Sequence, residues 1–429
     1  MTQQDAPEAP GTAVDPPDRP GVAAHVLLVV ENIPAAVDQR LRKQVPALLA
    51  AGHHVTVVTR RDPAQDPWRG VPGLTLLEHP APPESPGVLG YLQEYGLAFG
   101  WAAVLAPRAH RRRPVDVVQF CQPPDVYFPI AWLLRALGAR VVVDQRDLMP
   151  ELFAARYGTS PAMERVLRWL ERRTQAVATV TITVNHHLRR RLETAGAPAE
   201  RIAVVRNGPR LALVEAARPD PALRSGAAAL CCWAGKMGRQ DRVDLLVDAI
   251  AVLVHDHRRR DVRFVLLGDG ECLDELRAQV VARGLEAWVA LPGWLSEDEL
   301  FTHLATADVG LDTSLQVEVS PVKVMEYMAF GLPVVAFDLP ETTALTAGAG
   351  VAVPAGDVRR FAAELDALLD DPARARRLGA EGRRRVVDEL CWERQAAVYL
   401  EAIDRAAAPT RRRRRRAPDR GVRTRRERA

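Results

Sequence analysis

The stretch SPVKVMEYMAFGLPVVAFDLPE, residues 320–341, reads as a helix, a stop and a buried strand in immediate succession. Ser320 is a good N-cap and Pro321 suits the first helical position. Gly331 suits the residue just past a helix end, and Pro333 blocks continuation. The spacing predicts a short helix over PVKVMEYMAF and a strand over PVVAFD. The strand returns into a sheet, so the helix N-terminus points toward the strand ends. Its free N–H groups and partial positive charge attract phosphate. Lys323, in the first turn, opposes the dipole, which fits an anion held there.

Two carboxylates frame that helix start. Glu318 lies just upstream, and seven residues separate it from Glu326. Glu326 can accept two hydrogen bonds from a vicinal diol such as a ribose. Glu318 can reach sugar hydroxyls beyond the phosphates. An isolated pair at this spacing is ordinarily a surface helix residue and a solvated loop charge. The helix–Gly–Pro–strand context favours a nucleoside diphosphate sugar site, with Ser320, Val322 and Lys323 at its phosphates.

Working outward, strand-like runs alternate with helix-like segments from about residue 24 to residue 390. They are 25–30, 54–60, 115–120, 139–144, 178–184 and 201–207, then 229–235, 262–270, 288–294, 307–312 and 333–338. Short β-branched runs between helices argue for parallel sheets covered by helices. Pro and Gly break the rhythm near 209–226. The expected fold class is α/β: two Rossmann-like β/α/β domains facing each other across a cleft, at residues 23–210 and 227–390, with a linker at 211–226. Such folds bind ligands at the carboxyl ends of their strands. Residues 391–408 read as a further amphipathic helix, with Trp392, Ala396, Tyr399, Leu400 and Ile403 on one face; that it bridges back to the first domain is a separate expectation, which the spacing does not give.

The 429 residues suffice for two cores, filled by aliphatic side chains because aromatic content is 5%. Net charge is +4 but uneven: residues 411–429 hold eleven arginines against Asp419 and Glu427, leaving an acidic body. Residues 1–22 are Pro-rich and read as a disordered leader without signal-peptide character; 409–429 read as a disordered tail. Only Lys43, Lys236 and Lys323 are lysines in an Arg-rich chain. The five cysteines are sparse, odd in number and without zinc-like spacing, so they read as reduced thiols of a cytosolic protein.

Other candidates follow strand ends. Lys236 and Gly235 form a Gly-flanked turn where a cation would face a leaving diphosphate. Asp269 and Gly270 lie in a loop able to approach a base or ribose. Asp147 and Glu151 lie near the cleft, where they either orient an acceptor hydroxyl or, for Asp147, cap a helix. Cys121 ends its strand without a base partner and reads as a buried structural thiol; Asp125 shapes the loop beside it. Residues 87–113 join an apolar helix to a basic end, which suits either an interfacial helix on anionic lipid or an ordinary core helix. The Arg tail suits an anionic membrane or nonspecific nucleic acid, or is inert; nothing marks a specific nucleic-acid partner.

Taken together, EYMAFGLPVVAFD and its carboxylate pair resemble the C-terminal signature of glycosyltransferase family 4, retaining enzymes of the GT-B fold. VVENIPAAVDQRLRKQVPALLAAGHHVTVVTR resembles the family's first β-α-β unit, which places Asn32 at the cleft. FCQPPDVYF and VDQRDLMPELFAARYG resemble loops of a bacterial subgroup that makes cell-envelope polysaccharides. GKMGRQDRVD, LLGDGECLDEL and LPGW, with Gly293, resemble successive second-domain loops. The resemblance implies sugar transfer with retained configuration from a UDP- or GDP-linked donor to a glycan, lipid-linked or small-molecule acceptor. It also implies that no metal or other cofactor is needed, and a cytoplasmic location, peripheral at the membrane. Lys236 and Glu318 become catalytic candidates. The family's frequent second lysine is replaced by Asp241, leaving Arg242 or Arg239 as substitutes, and its frequent histidine by Cys121. A nucleotide-sugar epimerase and a non-catalytic partner of the same fold are the alternatives.

Overall fold

The computed structural model describes residues 23–31, 33–82, 87–317 and 320–408. Glu318, Asn32, the leader and the tail lie outside the described residues. Thirteen described strands form two sheets, all of whose pairings are parallel. The first contains β1 (His25–Val29), β2 (His54–Arg60), β3 (Leu74–His79), β4 (Val117–Gln122), β5 (Arg140–Gln145), β6 (Val180–Thr183) and β7 (Ile202–Val204), in the order β3-β2-β1-β4-β5-β6-β7. The second contains β8 (Ala229–Ala234), β9 (Val262–Leu267), β10 (Val289–Gly293), β11 (Val309–Asp312), β12 (Val334–Phe337) and β13 (Gly350–Val353), in the order β10-β9-β8-β11-β12-β13.

Both sheets therefore reverse their direction of growth once, between β1 and β4 and between β8 and β11. At such a point the helices following the two strands go to opposite faces and leave a crevice. Two strands escape the sequence reading. LTLLEH of β3 has few β-branched residues, and GVAV of β13 is short and opens on glycine; both are edge strands. Pro292 in β10 is tolerated because that strand is also an edge.

The helix Trp392–Ala407 belongs to the first core although it follows the second sheet. Trp392, Ala396, Tyr399, Leu400 and Ile403 pack with Val26, Leu28, Val142 and Ile182. Each such large buried side chain contributes about 1.5–3 kcal/mol. The return passes close to the outgoing linker: Trp392 N–H donates to the Pro209 carbonyl at 2.9 Å. A Cβ on Gly208 would sit 1.8 Å from the Leu390 carbonyl oxygen, so only glycine lets the two crossings touch.

Candidate active site

A cavity of about 580 Å³ opens at the β8/β11 switch point and is closed from the first half by Gln39, Arg42 and Lys43. Its floor is backbone. Beyond the ends of β8, β9 and β10 the loops remain hydrogen-bonded: Gly235 N–H to Leu267 O, Met237 N–H to Asp269 O, and Gly268 N–H to Gly293 O, at 2.9–3.0 Å. Gly268 has φ +133°, and a Cβ there would lie 1.8 Å from Gly235 O. The G-D-G loop thus lies against the Gly235–Lys236 turn. Gly235, Lys236, Asp269 and Gly270 line the cavity, with Lys236 exposed. Gly293 is not among the lining residues; its role is to anchor Gly268.

The helix begins at Val322, with Pro321 as its N-cap and no capping side chain. Ser320 therefore does not cap, contrary to the sequence reading. Its hydroxyl is buried without a hydrogen-bond partner, and the residue lines the cavity. A proline already fixes the backbone at this helix start, which leaves the hydroxyl unspent. Lys323 also has a different explanation from the one expected. Its Nζ lies 3.2 Å from Asp241 Oδ1 and 3.4 Å from Asp312 Oδ1, and 4.4 Å from the centre of the Trp233 ring. Two carboxylates and an indole face stabilise a cation that the helix dipole disfavours. Asp241, the departure from the family pattern, is thus the partner of Lys323.

Glu326 lines the same cavity one turn on. Burial raises its pKa, while Lys43, and more weakly Lys323, pull it down. Burial correspondingly lowers the pKa of Lys43. The Lys43 ammonium donates to Gly208 O at 2.7 Å and to Asn207 Oδ1 at 3.1 Å, which ties the helix Leu41–Ala50 to the segment that follows β7. Arg42 and Arg210 both approach Glu297, at 3.5 and 3.3 Å, across the cleft. Sequence reading assigned no role to Lys43, Arg42 or Arg210. Only the scarcity of lysine pointed to Lys43.

Arg242 does not line the cavity. It has φ +49° and its guanidinium forks onto Asp244 at 2.8–2.9 Å. The first-half candidates also lie outside the cavity lining. Cys121 is 3% exposed in the core, and burial pushes its thiol up to about 12, so it stays protonated. Asp125 is fully buried with neither carboxyl oxygen hydrogen-bonded. Burial and the Glu171 carboxylate push it up to about 8, with the Gln145 amide pulling the other way. Glu151 is held by Arg191 at 3.0 Å and Arg168 at 3.6 Å. Asp147 is exposed and caps nothing: the helix Met149–Tyr157 starts after Leu148 without a side-chain cap.

Under these loops the first half is locked by a buried polar network. Arg40 donates to both oxygens of Asp144 at 2.9–3.1 Å and to the Val205 carbonyl. Gln44 Nε2 donates to Asp144, Gln119 Nε2 to Gln44 Oε1, and Tyr399 O–H to Gln119 Oε1. The crossing helix is thereby hydrogen-bonded into the first sheet.

Two facing parallel sheets with a cavity at the second switch point define the GT-B class of transferase architecture. Residues 36–208 match the glycosyl transferase 4-like domain, and residues 228–371 match the glycosyl transferases group 1 family. The chain belongs to glycosyltransferase family 4. It is 34% identical over 176 residues to the MMP alpha-(1->4)-mannosyltransferase of Mycolicibacterium hassiacum; that match spans 38% of this chain and 43% of the relative. It is 27% identical over 407 residues to the glycogen synthase of Mycobacterium tuberculosis, spanning 88% of this chain and 94% of that protein. The sucrose-phosphate synthase structure from Thermosynechococcus elongatus superposes with a TM-score of 0.71 at 20% identity, covering 89% of this chain and 98% of that one. Among the described residues no helix is long and apolar enough to cross a membrane.

Proposed function

We propose that this protein transfers a sugar from a nucleoside diphosphate sugar to an acceptor hydroxyl with retention of anomeric configuration. The observation that carries the reading is the convergence, in one cavity of about 580 Å³, of Glu326, the Ser320 hydroxyl, the start of the helix Val322–Ala329 and Lys236. Glu326 accepts from the ribose diol. The helix start and Ser320 donate to the diphosphate. Lys236 stabilises the leaving phosphate oxygen as the bond to the sugar carbon breaks. The acceptor oxygen bonds to that carbon from the same face, and its proton passes to the leaving phosphate. Glu318 is assigned to the sugar hydroxyls on sequence grounds. Side chains and backbone N–H groups carry the charge in this scheme, without a metal.

The acceptor is a glycan, a lipid-linked glycan or a small natural product, and the first half faces an anionic membrane. Three helices, Gly87–Arg112, Phe128–Ala136 and Pro161–Val177, pack into one hydrophobic cluster on a single face of the first sheet. Their outer sides expose Trp101, Trp132 and Trp169. Trp132 and Trp169 both meet Phe128 edge-on, at 5.3 and 5.7 Å, and Arg173 lies 5.4 Å from the Trp169 ring centre. Interfacial tryptophans among arginines suit a lipid headgroup layer. Sedimentation with phosphatidylglycerol vesicles, weakened by Trp132→Ser with Trp169→Ser, is the expected result; equal sedimentation of the variant refutes this face.

Calorimetric titration with UDP, GDP and their sugar conjugates tests the donor site. Saturable binding that weakens at least about tenfold in Glu326→Ala is expected, since a charge-assisted hydrogen bond contributes that much. A folded protein that binds none of them refutes the reading. Turnover of donor without acceptor would instead indicate an epimerase.

A further inference from the structure

We propose that a second cavity, separated from the first by the Arg206–Glu341 ion pair, binds a small phosphate-bearing metabolite and communicates with the donor cleft through that pair. The anion site stands on its own geometry; its effect on donor binding rests on the proposed reading of the first cavity.

This cavity has a volume of about 510 Å³ and lies where three parts of the molecule meet. These are the end of the first sheet with the helix His186–Thr194, the segment Arg385–Leu390 of the second half, and the crossing helix. Arg189, Arg206, Arg385 and Arg405 line it with Glu389 and Glu401, and Arg189 also pairs with Glu193 at 2.8 Å. Arg385 donates to the Ala344 carbonyl at 2.9 Å, and Glu389 approaches it only to 3.9 Å. Its Nε is buried without a hydrogen bond. That is an unspent donor on a planar group suited to phosphate oxygens. His186, at the rim, is held below the ordinary imidazole range by burial, then by Arg206, with Arg189 and Arg190 adding to the effect against Glu341. The volume falls within the range for small-molecule sites.

The link to the donor cleft is direct. Arg206 lines the second cavity and Glu341 lines the first. Their side chains, 7% and 3% exposed, meet at 3.1 Å. An anion beside Arg206 competes with Glu341 for the guanidinium. Glu341 keeps one partner, the His187 N–H at 2.9 Å, so the exchange does not leave it bare. The two halves are therefore tied differently with and without the anion, and donor affinity must follow if the cleft geometry does.

The full chain is titrated with inorganic phosphate and with glucose 6-phosphate by calorimetry. Wild type is compared with Arg189→Gln/Arg385→Gln and with Lys236→Ala/Glu326→Ala, each checked for folding by circular dichroism. Saturable binding is expected in wild type and in the Lys236/Glu326 variant, and at least about tenfold weaker in the arginine variant. Tighter binding of the hexose phosphate, or equal binding of both probes, supports the site and tells whether the sugar is read. Absence of saturable binding, retention in the arginine variant, or loss in the Lys236/Glu326 variant overturns it. Nucleotide affinity unchanged by saturating phosphate overturns the coupling. Phosphate binding by a protein that binds no nucleotide leaves the anion site standing and removes the donor reading instead.

Discussion

At the carboxyl ends of β8 and β9 the chain passes through Gly235, Gly268 and Gly270 and leaves Lys236 in solvent. In β4 and β5 of the first sheet, Gln119 at mid-strand and Asp144 near the carboxyl end are fully buried and close on Arg40, Gln44 and Tyr399. The two places lie on opposite arms of the two switch points, since β4 and β5 stand where β11 and β12 do in the second sheet; one is open and the other filled. Glycines hold the open end by backbone contact, which leaves side chains available for a ligand. The filled end spends its polar groups on one another and on the crossing helix. One half presents the surface proposed to hold the donor, and the other sets a buried polar frame against it.

The sharpest way to break the frame is Asp144→Ala. It strands the Arg40 guanidinium, 4% exposed, with the Val205 carbonyl as its remaining described partner. A loss of about 3–5 kcal/mol is expected in urea unfolding. The next effect is pH-dependent. Asp125 titrates at about 8 when folded and near 4 when unfolded, so between those values the unfolded chain releases a proton that the folded one keeps. Stability then falls as pH rises across this window, by up to about 1.4 kcal/mol per pH unit. Asp125→Asn should flatten that slope and be relatively more stable at pH 8 than at pH 4; parallel wild-type and variant curves would show that Asp125 ionises normally.

On the open side, Gly268→Ala places a Cβ against Gly235 O at a positive φ. A stability loss of about 1–3 kcal/mol is expected, with a disproportionate loss of nucleotide affinity by calorimetry. The smallest effect belongs to Arg242→Ala. Its pair with Asp244 is on the surface, so stability should change by less than about 0.5 kcal/mol and nucleotide affinity should hold. A large loss of affinity would return Arg242 to the donor site.

Much of the frame and part of the site are legible along the chain. HVTVVTR marks β2 over its whole length, and the last helix with its apolar face, though not its crossing, follows from the spacing of Trp392, Ala396, Tyr399, Leu400 and Ile403. Edge strands β3 and β13 are not legible, because a strand half open to solvent needs no continuous β-branched run. The loops after β8 and β9 are marked by their glycines, and the resemblance rather than the glycines alone nominates them for the donor. Ser320 is misread because capping propensity is a local average, and Pro321 takes that position instead.

By itself the sequence determined what local chemistry governs: strand and helix periods, the Gly–Pro stop after the helix Val322–Ala329, and the order of the two halves. Only the tertiary structure decided which polar groups answer each other. Lys323 meets Asp241 across 82 positions of sequence, Arg40 meets Asp144 across 104, and Tyr399 meets Gln119 across 280. Those pairings follow from the crossing of chains and the burial that strengthens each interaction, and neither is a property of neighbouring residues.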